Sequence, residues 1–238
     1  MHTPLLPLAY VVASAVIAVA IGDTVYIKSL SFLDVSQAFP IAQCSFPVLT
    51  MFVAVLVLEE SFTWTTGAGA VLVVLGIYLI AAAGKRSGAN SVSGRINGKG
   101  VILAIAAAVT WTIGAATLKK GVIGMDTFVA AAIRIPSAAI VLSLFALNQR
   151  RRGTLQFRKY GSHNIALAAA AGILTYGVAA VLYILAIQLI GVGETVLLTS
   201  SSPLFILPLS VLILKEKPTR YALAGIFICV AGIYLVVI

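Results

Sequence analysis

Charge is scarce in this sequence: Asp, Glu, Lys and Arg make up 10% of its 238 residues, against roughly a quarter in ordinary globular chains. With 61% hydrophobic residues and a mean hydropathy of +1.11, that scarcity excludes a soluble globule. Histidine is almost missing, since His2 is terminal and His163 lies at a loop edge. The acids are dispersed as well, so a polytopic membrane enzyme would lack the clustered acids, bases and nucleophiles that its chemistry needs. No GxxxxGK[ST] phosphate loop is present, so the chain does not power itself with ATP, and no cofactor or metal is expected. The two cysteines, Cys44 and Cys229, sit inside apolar runs without CxxC spacing; they read as small packing residues. Residues 1–10 have no basic segment of the signal-peptide kind, so the first apolar run is expected to remain as a spanning helix. Alternating apolar and polar segments are missing too, which excludes a membrane β-barrel.

What the chain does have is apolar runs of about 20 residues, the length that crosses a bilayer as a helix. They lie at 5–27, 33–58, 64–83, 101–118, 127–147, 164–190, 194–214 and 221–238. The predicted fold class is an all-α polytopic membrane protein of about eight transmembrane helices. The net charge of +9 sits almost entirely in the links between runs, where it signals topology and not nucleic-acid binding. Assigning alternate links to opposite sides puts 13 Lys and Arg on one side and only Lys119 and Lys120 on the other. By the positive-inside rule the links 84–100, 149–163 and 215–220 are cytoplasmic and both termini face outward, in the cell (inner) membrane. Phe and Tyr interleave with the basic residues of 148–163, which suits contact with membrane lipid headgroups.

One stretch occurs twice. Residues 201–235 fall on 45–79 without a gap when moved back by 156 positions, matching Ser45/Ser201, Pro47/Pro203, Glu60/Glu216, Thr63/Thr219, Gly69/Gly225, Gly76/Gly232 and a Gly-Ile-Tyr-Leu ending. Two apolar helices share Leu and Val by chance, but matched Pro, Glu, Gly and Tyr indicate an internal duplication. The segments PVLTMFVAVLVLEE and PLFILPLSVLILKE, each followed by a helix ending in GIYL, resemble the EamA-like repeat of the drug/metabolite transporter superfamily. VILAIAAAVTWTIGAATLKKG, DTFVAAAIRIPSAAIVLSLFAL and AVLYILAIQLIGVGETVLLTSSSP are similar to its other helices. The resemblance implies a transporter with two five-helix repeats and cytoplasmic termini.

This chain departs from that pattern. Residues 100–238 hold five helices, 85–99 form a linker, and 1–84 form a first repeat lacking its first two helices, the counterparts of those carrying Trp111 and Arg134. Either the chain is a naturally short form or a longer product carries the other two. The charge bias also places the termini opposite to the family habit. Three and five are both odd, so the two copies enter the membrane in opposite senses; such inverted repeats put a site near the midplane and alternate access by rocking one against the other.

Ionisable groups within apolar runs are costly in lipid and face a cavity or a partner. Arg134 can hold a carboxylate or phosphate of a substrate, or pair with Glu194 or Asp23. Asp23 and Lys28 are a coupling group or a local ion pair. Glu194, Gln37, Trp111, Tyr176, Tyr183 and Ser201 complete the candidate substrate-binding set, with Thr175 as a further neutral group. Pro47 and Pro203 free backbone carbonyls within helices and are candidate hinges. Glu60, repeated as Glu216, is expected to cap the next helix or pair at the interface. The glycines at 69, 76, 225 and 232 share a helix face and invite close packing. The function expected is a secondary transporter or facilitator for a small, amino-acid-like or drug-like polar metabolite. The alternative is a transport-incompetent subunit or fragment needing a partner chain, and a homo-oligomer fits either case.

Overall fold

The computed structural model describes residues 5–33, 35–61, 63–84, 97–151, 161–202 and 220–237, and among them it contains eight helices and no strand. They are α1 (Leu5–Ser29), α2 (Val35–Val57), α3 (Trp64–Gly84), α4 (Gly98–Val122), α5 (Thr127–Arg151), α6 (Ser162–Ile190), α7 (Val192–Ser200) and α8 (Arg220–Val237). α1, α4, α5 and α6 are long and apolar enough to cross a membrane, and α2, α3 and α8 carry shorter apolar stretches. This is the all-α polytopic architecture expected from the hydrophobic runs. Most of the seventh run, including the candidate hinge Pro203, and Glu216 lie outside the described residues.

Local sequence explains the helix starts. Asn97 accepts from Lys99 N at 3.0 Å to cap α4. Asp126 accepts from Phe128 N and Val129 N at 2.9 and 3.0 Å to cap α5, and Thr63 accepts from Thr66 N at 3.2 Å to cap α3. Each side chain takes an amide that has no partner within its own helix.

Helices in lipid gain little from apolar burial against one another, so close backbone contact decides their pairing. α3 and α8 run antiparallel through their repeated glycines. A Cβ built at Gly69 would lie 2.6 Å from the Gly232 carbonyl, and one at Gly76 would lie 2.7 Å from that of Gly225. α1 sits on α4 in the same way, with Gly114 against Ala18 and Gly121 against Val11. Ser14, Ala15, Ala18 and Gly22 form the buried stripe of α1.

Two helices depart from α geometry. α1 is π-helical over Val16–Asp23 and α6 over Ile173–Ala179. Moving the first by the 156-residue repeat puts it at 172–179, on the second. Single π turns inside long helices cluster at functional sites, and both of these border the same cavity.

Residues 58–61, the end of α4 with residues 123–126, and the α6–α7 junction at 188–193 gather at one end of the bundle. Gln188 Nε2 donates to the carbonyls of Val122 and Met125 at 2.9 and 2.7 Å, and Lys119 Nζ donates to that of Ile187 at 3.0 Å. Glu60 makes a pairing of the kind expected of it, 3.6 Å from Lys119 Nζ, but the helix it caps is not the next one. Its carboxylate accepts from Val192 N at 2.8 Å and Gly193 N at 3.1 Å, so it caps α7, more than 130 residues away, while Thr63 caps the neighbouring helix. The reason is geometric. Glu59 is left-handed at φ 55° and Gly191 is at φ 87°; the first swings Glu60 away from α3, and the second exposes the leading amides of α7.

Candidate functional site

A cavity of about 440 Å³ lies among α1, α2, α4, α5, α6 and α7. Several of its wall positions are pairs related by the repeat: Val19 and Thr175, Asp23 and Ala179, Gln43 and Thr199, Phe46 and Ser202. The remaining chemistry enters from α4 and α5, through Trp111 and Arg134. A larger groove of about 690 Å³ between α2 and α3 is lined almost wholly by apolar side chains such as Val48, Phe52, Val71 and Leu75. It offers a polar solute nothing to bind, so the smaller cavity is the candidate site.

Within it two opposite charges face one space. Asp23 accepts from Trp111 Nε1 at 2.9 Å. The indole is braced by Tyr26 and Phe46, whose ring centres lie 5.5 and 5.8 Å away. Across the wall, Arg134 donates from Nε to Ser14 Oγ at 3.3 Å, while Ser14 Oγ donates to the Val11 carbonyl at 2.7 Å. Each charge is thus held by a neutral partner and not by the other. That leaves the guanidinium end of Arg134 and the second oxygen of Asp23 available to a solute. Tyr176 and Tyr183 supply aromatic walls with polar tips.

Five candidates therefore converge: Asp23, Trp111, Arg134, Tyr176 and Tyr183, joined by Thr175. Ser201 is buried, but its hydroxyl donates to the Leu198 carbonyl of its own helix. Its neighbours Ser200 and Ser202 line the cavity instead, and Ser200 Oγ is buried without a hydrogen-bond partner. A hydroxyl left buried without a partner costs free energy. Glu194 stands in the first turn of α7, near Glu60 and away from the cavity. Lys28 is exposed in the last turn of α1. Gln37 lies in the first turn of α2, and its side chain lies outside the described residues. Pro47 is buried in α2, where it withholds a donor from the carbonyl of Gln43, a cavity residue.

Sequence reasoning passed over Ser14, Gln43 and Phe46. A serine in an apolar run carries no signal of its own, because its use depends on α5 crossing α1 at that height. Gln43 and Phe46 could have been found by stepping back 156 positions from the polar run Thr199–Ser202. Among the described residues no group of His, Cys, Asp and Glu could hold a metal ion.

Trp111→Phe keeps the ring and removes the N–H. It is expected to weaken solute binding by about 1.5–3 kcal/mol, the usual worth of a hydrogen bond to a charged group, by freeing Asp23 to swing. Binding isotherms of the purified variant would check this, and an unchanged dissociation constant would refute it.

Residues 2–82 and 98–238 match the EamA-like transporter family. An uncharacterized transporter from Archaeoglobus fulgidus is 25% identical over 227 residues, covering 95% of this chain and 75% of that protein. A protein known from a crystal structure shares the fold at a TM-score of 0.73, with 17% identity over 98% of this chain and 89% of the other.

Proposed function

This chain belongs to the EamA-like transporter family, and from that premise we propose that it moves a small zwitterionic metabolite, amino-acid-like in its charges, through the cavity by alternating access. The protein is an integral membrane transporter of the drug/metabolite superfamily. The observation that carries the finer reading is the placing of Asp23 and Arg134 on one cavity, each tethered by a neutral group. A substrate carboxylate takes the guanidinium, whose planar fork suits it, and a substrate ammonium takes Asp23. Thr175 serves a further polar group. The rest of the molecule then lies against Trp111, Tyr176 and Tyr183.

Residues 1–84 and 100–238 act as the two inverted repeats on either side of the linker, in the cell (inner) membrane with the links 84–100, 149–163 and 215–220 cytoplasmic. The repeat-related wall positions and the paired π turns support this division. Solute counterflow in proteoliposomes tests the reading with a panel of amino acids, neutral sugars and organic cations. Zwitterions are expected to exchange and the others to be left behind. Folded protein that exchanges no zwitterion would overturn it.

One observation favours a second reading, in which the chain works as a subunit. α1 is gripped by α4 and α5, yet its counterpart α6 has no buried residue from Ser162 to Ala179. Mass determination in detergent, followed by flux from the isolated chain, separates the two. A stable complex with another chain and no flux without it would favour the subunit.

A further inference from the structure

Along six helices the residues of one buried apolar cluster lie to the same side of the cavity residues, while α1, α2, α4 and α5 also bury Ser29, Ala38, Ala42, Ala104, Ala107 and Ala138 toward the other end. On α1 Val11 is buried and Asp23 lines the cavity; on α2 the pair is Ala54 and Gln43; on α4, Leu118 and Trp111. On α5 it is Ala130 and Arg134, on α6 Ile187 and Tyr183, on α7 Val192 and Thr199. In every case the cluster residue lies nearer the end where Glu60, Lys119 and Gly191 meet. A dry apolar layer therefore separates the cavity from that end. Toward the opposite end α6 has no buried residue over Ser162–Ala179.

Beyond the dry layer, among the described residues, stands one polar contact between the two halves of the chain. Glu60 accepts from Val192 N and Gly193 N and lies 3.6 Å from Lys119 Nζ. The side chains of Lys119 and Glu60 are mostly covered, at 24% and 17% exposure. The contact also leaves no slack, because a Cβ at Gly191 would lie 2.8 Å from the Glu60 carboxylate. A carboxylate on the leading amides of a helix is favoured by both the hydrogen bonds and the helix dipole. The helix so held, α7, is the one that carries Thr199, Ser200 and Ser202 into the cavity.

We infer that Glu60 is the latch of this end: its release from the α7 N-terminus frees α7 to leave the dry layer and opens the cavity there. Glu60 is a positioning residue, acting on solute only through α7. The latch takes its purpose from the transport reading, but accessibility can test it without any substrate.

The test places Val196→Cys, within the dry layer, in a background with Cys44→Ser and Cys229→Ala. A membrane-impermeant maleimide is added from the Glu60 side. With Glu60 intact the thiol is expected to react slowly. With Glu60→Gln it is expected to react about tenfold faster or more, the shift that follows from losing a charge-assisted hydrogen bond. Lys119→Met should act in the same direction and stands in should Glu60→Gln fail to fold.

A second arm closes the end covalently. A Cβ at Gly193 would lie 3.1 Å from that of Ala54, close enough for a disulfide after slight relaxation. Oxidised Ala54→Cys/Gly193→Cys should stop counterflow, and reduction should restore it. Equal labelling rates with and without Glu60, in monodisperse protein, would overturn the latch, as would undiminished flux through fully crosslinked protein. Absence of flux from every variant and from the unmodified chain would overturn the transport reading alone, since the labelling rates still decide the latch.

Discussion

Arg134→Gln abolishes zwitterion counterflow while leaving the bundle assembled. The guanidinium is the substrate's carboxylate partner in the proposed site, and removing one member of a hydrogen-bonded charge pair costs about 2–5 kcal/mol of affinity. That is a loss of about thirtyfold or more in the dissociation constant. The fold survives because the side chain borders a cavity and, among the described residues, one 3.3 Å hydrogen bond to Ser14 Oγ tethers it. Arg134→Lys should recover little, since a single ammonium cannot reproduce the planar fork. Binding and counterflow measured on size-exclusion-purified variants check both. Half-saturation left unchanged in Arg134→Gln would remove Arg134 from the site.

The second large effect is on assembly. Gly76→Val and Gly232→Val are each expected to destabilise the protein at the upper end of about 1–3 kcal/mol, the usual cost of overfilling a packed contact. At Gly76 the added carbon meets the Gly225 carbonyl at 2.7 Å and Cys229 Cβ at 2.8 Å; at Gly232 it meets Val73 N at 2.7 Å and the Gly69 carbonyl at 2.8 Å. Backbone atoms cannot rotate aside as a flexible side chain would, so α3 and α8 must part. Gly98→Ala is the control, because nothing lies within 4 Å of its added carbon. Thermal unfolding in detergent should show the first two well below the parent and the third level with it. Parent-like melting of Gly76→Val would refute the close contact.

The same glycines show how far the chain could be read in one dimension. Their seven-residue spacing places them on one helix face, which announces a close partner without saying which helix it is. Glu60 shows the opposite case. Its repetition as Glu216 is plain, and a boundary carboxylate beside Thr63 points to the next helix or to a pairing at the interface, of which the Lys119 contact is one. The left-handed turn at Glu59 sent it to α7 instead. Arg134 and Asp23 stood out because charge inside an apolar run is expensive. Ser14 did not, because hydroxyls in such runs are cheap and commonly bond back to their own helix, as Ser201 does.

By itself the sequence determined the helices, their approximate ends, the duplication and the scarcity of charge that makes Asp23 and Arg134 conspicuous. These are local properties: hydropathy over about 20 residues, capping side chains one turn away, and a register that can be counted. Only the tertiary structure decided that Asp23 meets Trp111, that Arg134 rests on Ser14, that Ser200 and Ser202 line the cavity while Ser201 does not, and that Glu60 holds α7. Those contacts depend on the height and angle at which apolar helices cross. In a bilayer those angles follow from small residues and backbone approach, which hydropathy does not record.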